Sequence, residues 1–470
     1  KNWDMHTTKI QIFAIAASIL SCSLQSIAQE RIAADDMPQT WQYSQQYDQT
    51  SPTDDEWWRQ FGDSTLDSLI SAAVTNNYNV LMAQRRIEMA RQSLTQARAG
   101  YFPAFNLSAG WNKSRTSGMM GAEAMNATGA SYFNLGVDMS WQIDVFGKVT
   151  SRAKEAKANF EATRAEYDAT MVTVAAKVAS AYFQLRAVQS EIEVTQRHIA
   201  SQKRIVEITE ARHEAGLNDM LDVRQAYTTY YSTLATMSSL KSAETSSINA
   251  LALLVGVFPS NIDAQLRAFR PMPDYRQIVA VGVPMELLRR RPDIAEAECT
   301  LAGYAAAVGI AKKDFLPTLT LNGSIGTAAH NIGNLFDKRS YSYSIAPTLS
   351  WTIFDGMSRN AAVKQAKEQM QMGIDNYNFT VLTAVQEVET AMSTYSNDVD
   401  YIANLEKVVE EAHEALKLSI DSYKQGLTDF INVTNAQITL LQSANTLVVA
   451  QGQALSDLVS LYEALGGGWQ

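Results

Sequence analysis

Two cysteines, Cys22 and Cys299, are all that the 470 residues contain. Cys22 falls in a leader-like segment. Once it is lipidated or removed, no disulfide can form within the mature chain, and stability has to come from packing and assembly. Cys299, in an alanine-rich helical stretch, reads as a buried small hydrophobe. Basic residues are outnumbered too: 39 Lys and Arg against 49 Asp and Glu leave a net charge of −10. That balance argues against nucleic acid, and against an anionic lipid surface, as the main partner. Neither half of the chain holds about 18 consecutive apolar residues, so no helix is expected to span a bilayer. Catalytic patterns are missing as well: there is no G-x-S-x-G, no P-loop and no dinucleotide fingerprint. The 5 histidines (His6, His198, His213, His330 and His413) include no pair at metal-ligand spacing. Gly466-Gly467-Gly468 closes the chain rather than opening a helix, which makes it a poor phosphate cradle. No enzymatic activity, cofactor or metal is expected.

Helix breakers are unevenly spread. Neither glycine nor proline occurs between Lys148 and Ala215, which at about 1.5 Å per residue allows one helix of roughly 100 Å. A matching stretch follows Gly356, over 357–425, with Gly373 as its one breaker. Uncapped patterns of this length imply coiled-coil packing. Ala153, Ala156, Ala158, Ala162 and Ala165 allow close helix approach there. In contrast, Pro259, Pro271, Pro273, Pro284 and Pro292 crowd the segment 256–292. This predicts a compact mixed linker, with a short strand within Arg276–Val283.

What the chain does have is a duplication. Arg212-His213-Glu214-Ala215-Gly216-Leu217-Asn218-Asp219 returns as Ser422-Tyr423-Lys424-Gln425-Gly426-Leu427-Thr428-Asp429, and Ser140-Trp141-Gln142-Ile143 as Ser350-Trp351-Thr352-Ile353. A period of about 210 residues is too long for a solenoid unit and marks a duplicated half-molecule. The first copy spans 63–255 and the second 293–470. Each has a helix (from Asp63 to Gly100, then from Asp293 to Lys313), a β-hairpin (about 102–146, then about 316–354) and a long helix (148–215, then 357–425). Each then turns at a tip (216–219, then 426–429) and returns through a shorter helix, Met220 to Val255 or Phe430 to Leu465.

The hairpins alternate strictly. Phe105, Leu107, Ala109 and Trp111 interleave with Asn106, Ser108, Gly110 and Asn112. Phe133, Leu135, Val137, Met139, Trp141 and Ile143 interleave with Asn134, Gly136, Asp138, Ser140 and Gln142. Soluble strands average about 5–6 residues, whereas a tilted membrane strand needs about 9–11 and a porin-type interior is polar. Trp111, Trp141, Tyr341 and Trp351 stand at strand ends, where aromatic rings form interfacial belts. A chain that supplies only four strands cannot close a barrel. An open edge in lipid leaves unsatisfied backbone groups, so the chain is expected to oligomerise, with a trimer favoured over a dimer for its wider lumen.

Residues 1–28 read as an export signal, with Lys9 as a thin positive region and an apolar core from Ile10 to Leu20. Two cleavage readings compete. One cuts before Cys22 in the lipobox-like Ile19-Leu20-Ser21-Cys22 and leaves a lipidated first residue; the other cuts after Ala28 in Ser26-Ile27-Ala28. Residues 29–62 form a polar extended segment.

Several strings are specific: Trp57-Trp58 with Phe61-Gly62-Asp63, Phe102-Pro103, Trp141-Gln142-Ile143-Asp144-Val145-Phe146-Gly147, Leu287-Leu288-Arg289-Arg290-Arg291-Pro292-Asp293-Ile294, and Leu465-Gly466-Gly467-Gly468-Trp469. In these the chain resembles the bacterial outer-membrane efflux proteins, TolC-like and nearest the OprM/NodT lipoprotein branch. The resemblance implies a homotrimer in outer-membrane lipid, with a 12-stranded β-barrel continued by a 12-helix periplasmic coiled-coil tunnel. It also implies a periplasmic adaptor and an inner-membrane pump as partners. The expected function is a passive efflux duct; the alternative is the exit duct of a type I protein secretion or metal-efflux system.

The tips Gly216-Leu217 and Gly426-Leu427 are the expected adaptor-docking points. Asp219, Thr428 and Asp429 are candidates for the periplasmic aperture. Family members often carry glycine, an apolar residue and then aspartate at the second tip, but here Thr428 takes that slot and Asp429 follows. Plain helix N-capping is the competing reading of both aspartates. The net negative charge predicts a cation-selective lumen lined by the even-numbered strand positions.

Overall fold

The computed structural model describes residues 31–43, 47, 56–115, 130–276 and 279–467. Cys22, both cleavage sites, Gly468 and Trp469 lie outside the described residues. The chain forms two compact units. The first takes in Lys1–Arg85, Ala165–Ala295 and Asn378–Gln470; the second takes in Arg86–Arg164 and Glu296–Tyr377.

The element order states the duplication. The first half runs α1 (Ser64–Asn76), α2 (Tyr78–Ala99), β1 (Ala104–Ser114), β2 (Ala130–Ile143), α3 (Lys148–Glu214) and α4 (Met220–Val255). A linker with the short helix α5 (Asp263–Arg267) follows. The second half runs α6 (Leu287–Arg290), α7 (Pro292–Lys313), β3 (Thr318–Ala329), β4 (Tyr341–Ser350), α8 (Ser358–Lys424) and α9 (Phe430–Ala464). The long helices α3 and α8 have 67 residues each. Gly373 does not interrupt α8. Its missing Cβ makes room for another helix, since a Cβ there would stand 2.8 Å from the Tyr304 ring and 3.3 Å from Leu301 of α7.

The second unit holds a 4-stranded antiparallel sheet in the order β1-β2-β3-β4. Behind the strands, Asp144 opens α3 by accepting from the backbone N–H of Val149 and of Thr150, both at 2.8 Å. Lys313 at the end of α7 donates to Gly147 O (2.8 Å) and Ser151 Oγ (2.6 Å), and Lys148 pairs with Asp314. Helix α7 is long and apolar enough by length and composition to cross a membrane, with a mean hydropathy of 1.2. That qualifies the expectation of no such helix. Gly303 and Gly309 face α3, where a Cβ would stand 3.1 Å from Asn159 Oδ1 and 3.5 Å from Ser151 Oγ.

The core of the first unit is aromatic as well as aliphatic. Trp57 is buried and stacks on Tyr462, with ring centroids 5.0 Å apart, and Phe61 meets Phe183 edge-on at 4.9 Å. Arg186 is fully buried under this layer. Its guanidinium lies 4.7 Å from the Tyr182 ring and donates to Ala268 O at 3.0 Å. The linker is thereby held against α3.

Three expectations need correction. The helix read from Asp63 to Gly100 breaks at Asn77, whose backbone is extended. The Asn77 side chain accepts from Asn79 N (2.8 Å) to start α2, and donates to Leu254 O (2.7 Å). A buried amide with these two partners to satisfy wins over helix continuity. No strand forms among the described residues of 276–283, where Ala280 alone makes a bridge and Gly282 O accepts from Trp41 Nε1 at 3.0 Å; residues 277 and 278 lie outside the described set. Cys299 is half-buried rather than fully so.

Candidate functional site: strand faces and helix tips

Paired residues of an antiparallel ladder share a face, so the register decides what each face presents. One row reads Leu107, Val137, Ile325 and Tyr343; the next reads Phe105, Met139, Gly323 and Ile345. The opposite face reads Asn106, Asp138, Ser324 and Ser344, and Ser324 Oγ and Ser344 Oγ lie 2.8 Å apart. One side is apolar across the four strands apart from Thr327 and, beyond the Trp111–Phe133 level, Lys113 opposite Ser131; the other is mainly polar. Asp138 is the single charged residue on the polar face among the described strand residues.

The four aromatics fall at two ends of the apolar face. Trp111 contacts the Phe133 ring at 6.4 Å, and Tyr341 opens β4 at the same end of the ladder, opposite Thr327. At the other end, Trp141 Nε1 donates to Tyr101 O at 3.0 Å and Trp351 Nε1 to Phe315 O at 2.9 Å. Each indole closes the strand entry of its own copy while its ring stays on the apolar side, a pairing suited to a half-wet boundary.

The tips lie in the first unit, and each ends its long helix in the same way. Gly216 (φ 69°) and Gly426 (φ 71°) take the left-handed conformation that stops a helix. Leu217 N donates to Arg212 O (2.8 Å) and Leu427 N to Ser422 O (2.9 Å). Both leucines are exposed, at 64% and 75%. Asp219 and Asp429 hold the N-cap positions of α4 and α9, yet neither side chain accepts a capping hydrogen bond. Both carboxylates are exposed at the chain reversal. Thr428 Oγ1 accepts from Asn432 Nδ2 at 2.6 Å.

The contacts that tie the tips together were not singled out in the sequence. Tyr423 Oη donates to Asp222 Oδ2 at 3.0 Å and accepts from Asn218 Nδ2 at 3.0 Å. Arg212 Nη1 donates to Lys424 O at 2.8 Å, and its guanidinium covers the Tyr423 ring at 4.7 Å. Burial, and then the Asp222 carboxylate, push the Tyr423 phenol above its usual range, keeping it a neutral donor. Beneath lies an apolar cluster that includes Ile205, Ala226, Leu416, Phe430 and Val433. A signal did exist: Arg212/Ser422, His213/Tyr423 and Asn218/Thr428 are among the positions at which the two copies differ around the shared glycine, leucine and aspartate.

The two signature strings meet elsewhere in the first unit. Arg291 Nη1 donates to Ala464 O (2.9 Å), and its other nitrogens pair with Asp293 and with Glu387, each at 2.7 Å. Gly466 turns with φ 74°, and a Cβ there would stand 3.2 Å from Arg290 O. Arg291 clamps the end of α9 to the start of the second copy.

A wide two-faced sheet joined to paired 67-residue helices is the make-up of an outer-membrane channel subunit. The family model described as outer membrane efflux protein matches residues 69–257 and 283–467, one match for each copy. The chain belongs to the outer membrane efflux protein family. It is 29% identical over 413 residues to nodulation protein T of Rhizobium leguminosarum bv. viciae, covering 88% of this chain and 84% of that protein. It is 28% identical over 418 residues to the solvent efflux pump outer membrane protein SrpC of Pseudomonas putida, covering 87% and 86%. Among solved structures, the outer-membrane channel OprN superposes with a TM-score of 0.86 at 28% identity, covering 92% of this chain and 97% of that one.

Proposed function

We propose that three copies close into a passive outer-membrane duct. In this reading the duct receives small toxic compounds from a periplasmic adaptor and an inner-membrane pump. The observation that carries it is the sheet: four strands, largely apolar on one face and polar on the other, with the outer edges of β1 and β4 unpaired among the described residues. Exposed backbone edges cost several kcal/mol per unsatisfied group in lipid, so such a sheet is tolerable there only when further copies complete it. Trp111 and Tyr341 lie at one membrane boundary and Trp141 and Trp351 at the other. Cys22 carries the lipid anchor.

At the tips, Gly216-Leu217 and Gly426-Leu427 present exposed leucines to the adaptor. Asp219, Thr428 and Asp429 rim the aperture, and the Tyr423–Asp222 link holds it closed at rest. Driving energy comes from the partners. The test is fractionation and conductance: a heat-modifiable trimer in the outer membrane that forms pores in planar bilayers is the expected result. An inner-membrane or soluble product without pores sinks the proposal.

A further inference from the structure

The two ends of the sheet differ in what becomes of their cations. At the helix end, beside Trp141 and Trp351, basic side chains are taken up by the fold. Lys148 pairs with Asp314, Arg359 with Asp355 at 2.7 Å, and Lys313 donates to Gly147 O and Ser151 Oγ. At the loop end, Lys113, Arg115 and Lys338 are exposed and have no acidic partner among the described residues.

The ladder sets the level of Lys113. It follows Trp111 by two residues on the same face, opposite Ser131, and so lies about 7 Å further along the strand. Its cross-strand surroundings, Asn112 opposite Tyr132 and Ser114 opposite Ala130, bring no acid near it. Arg115 follows directly after the end of β1.

On the other outer strand, Tyr341 opens β4 and Lys338 precedes it by three residues, in a turn with its own hydrogen bonds. The Asp337 carboxylate accepts from Arg339 N at 2.9 Å and pairs with Arg339 Nε at 3.2 Å. Ser340 Oγ donates to Asn334 O at 2.7 Å, His330 Nδ1 lies 2.6 Å from Ser131 O, and Leu335 is buried. Asp337 is thus engaged by Arg339, which leaves Lys338 uncompensated.

Among the described residues of 112–115, 130–132 and 330–340, four cations (Lys113, Arg115, Lys338, Arg339) stand against one acid (Asp337), a local +3 in a chain of −10. Charges act over about 8–10 Å at physiological salt, so this local balance decides what the rim attracts. The face decides where the counter-anion lies. Lys113 stands on the side of Trp111 and Phe133, away from Asp138 and the polar interior. In the proposed duct that side meets lipid, and the layer just beyond an aromatic belt is the headgroup layer, whose anion is phosphate. Strands β1 and β4 are three strand spacings apart, about 14 Å. A head with more than one phosphate, as on a phosphorylated disaccharide lipid, can engage both.

We infer that Lys113, Arg115 and Lys338 form a collar for the phosphates of an outer-leaflet glycolipid, with the Trp111 and Tyr341 rings against its acyl chains. The inference rests on the membrane placement of the sheet proposed above and adds the lipid that its outer rim selects.

The test places the assembled full-length protein in phosphatidylcholine nanodiscs doped with diphosphorylated lipid A or with the same lipid stripped of phosphate. Native mass spectrometry counts the lipid retained. The phosphorylated form should be retained in preference, weakened about fivefold by each of Lys113→Gln and Lys338→Gln and weakened also by raised salt. Lys113→Arg should keep it, and Lys417→Gln, which removes an exposed cation of α8, should change nothing. Equal retention of the two lipids, or retention unmoved in both glutamine variants at the sheet, overturns the collar. A rim that binds inorganic phosphate as tightly as the lipid is a soluble-anion site, which overturns it as well. A protein that stays out of the nanodisc bilayer altogether fails the membrane reading, and this inference falls with it.

Discussion

Tyr423 Oη lies 3.0 Å from Asp222 Oδ2, joining the end of one long helix to the return helix of the other copy. The two residues are 201 positions apart, and both lie within one helical turn or so of a chain reversal. A hydrogen bond to a carboxylate at a half-buried site contributes about 1.5–3 kcal/mol, enough to hold two hairpins in one arrangement.

Tyr423→Phe removes that donor and keeps the ring over Phe430 and Arg212. If the link holds the tips closed, single-channel conductance rises severalfold and cells become leaky to large antibiotics. Unchanged conductance in planar bilayers removes Tyr423 from that role. Asp429→Ala tests the proposed rim in the same assay, where a capping role would lower thermal stability without moving conductance.

Met357 (φ 73°) is the one non-glycine in the left-handed region among the described residues, at the position where the first copy has Gly147 (φ 72°). A left-handed L-residue costs about 1–2 kcal/mol. Met357→Gly should therefore stabilise by about 1 kcal/mol, less the added freedom of the unfolded chain. Gly147→Ala should destabilise, because its Cβ would also meet Lys313 Nζ at 3.1 Å. Denaturant midpoints of the two variants should move in opposite directions.

Burial, and then the neighbouring Asp457 carboxyl, push Asp398 up to about 7. The unfolded chain ionises this residue from about pH 4, so between there and pH 7 the folded state binds the extra proton. Stability at this site therefore falls as pH rises across that window and levels off above it. Asp398→Asn should flatten the pH dependence and raise the melting temperature at pH 8 more than at pH 5. Equal shifts at both pH values would show that the pair does not titrate in this range.

Removing Arg291 strands Asp293, Glu387 and the carbonyl of Ala464. Arg291→Ala should cost about 1–3 kcal/mol: the guanidinium is buried, but Asp293 and Glu387 are 39% and 44% exposed and keep access to water. Arg291→Lys should recover only part of it, because a point charge cannot serve three acceptors in a planar fork. Urea unfolding of the assembled protein measures both.

Asp138 is the single charged residue on the polar strand face among the described residues, so it should dominate selectivity in the barrel section of the proposed duct. Asp138→Asn should shift the reversal potential toward weaker cation preference, and Asp138→Lys further. Identical reversal potentials in a salt gradient would place the selectivity elsewhere.

Much of the architecture was legible because it rests on periodic patterns. The strand alternation of Phe105 to Trp111 has a period of two whatever it packs against. The breaker-free run from Lys148 to Ala215 specifies a helix by what it omits. Asn77 was not legible, because its break in the helix depends on Leu254 O, a distant acceptor. The tip link was hidden for a related reason: Tyr423 looks like an ordinary helix residue until Asp222 and Asn218 are brought beside it.

The sequence by itself determined the duplication, the two-faced strands, the length of the helices and the glycine reversals at 216 and 426, since each is a local property of backbone and side-chain type. Tertiary structure decided which residues of one copy meet those of the other: Tyr423 with Asp222, Arg291 with Ala464, Asn77 with Leu254. It also decided that Met357 adopts a turn suited to glycine. These are matters of long-range packing, where partners far apart in the chain compete for the same backbone groups, and no local pattern records which of them wins.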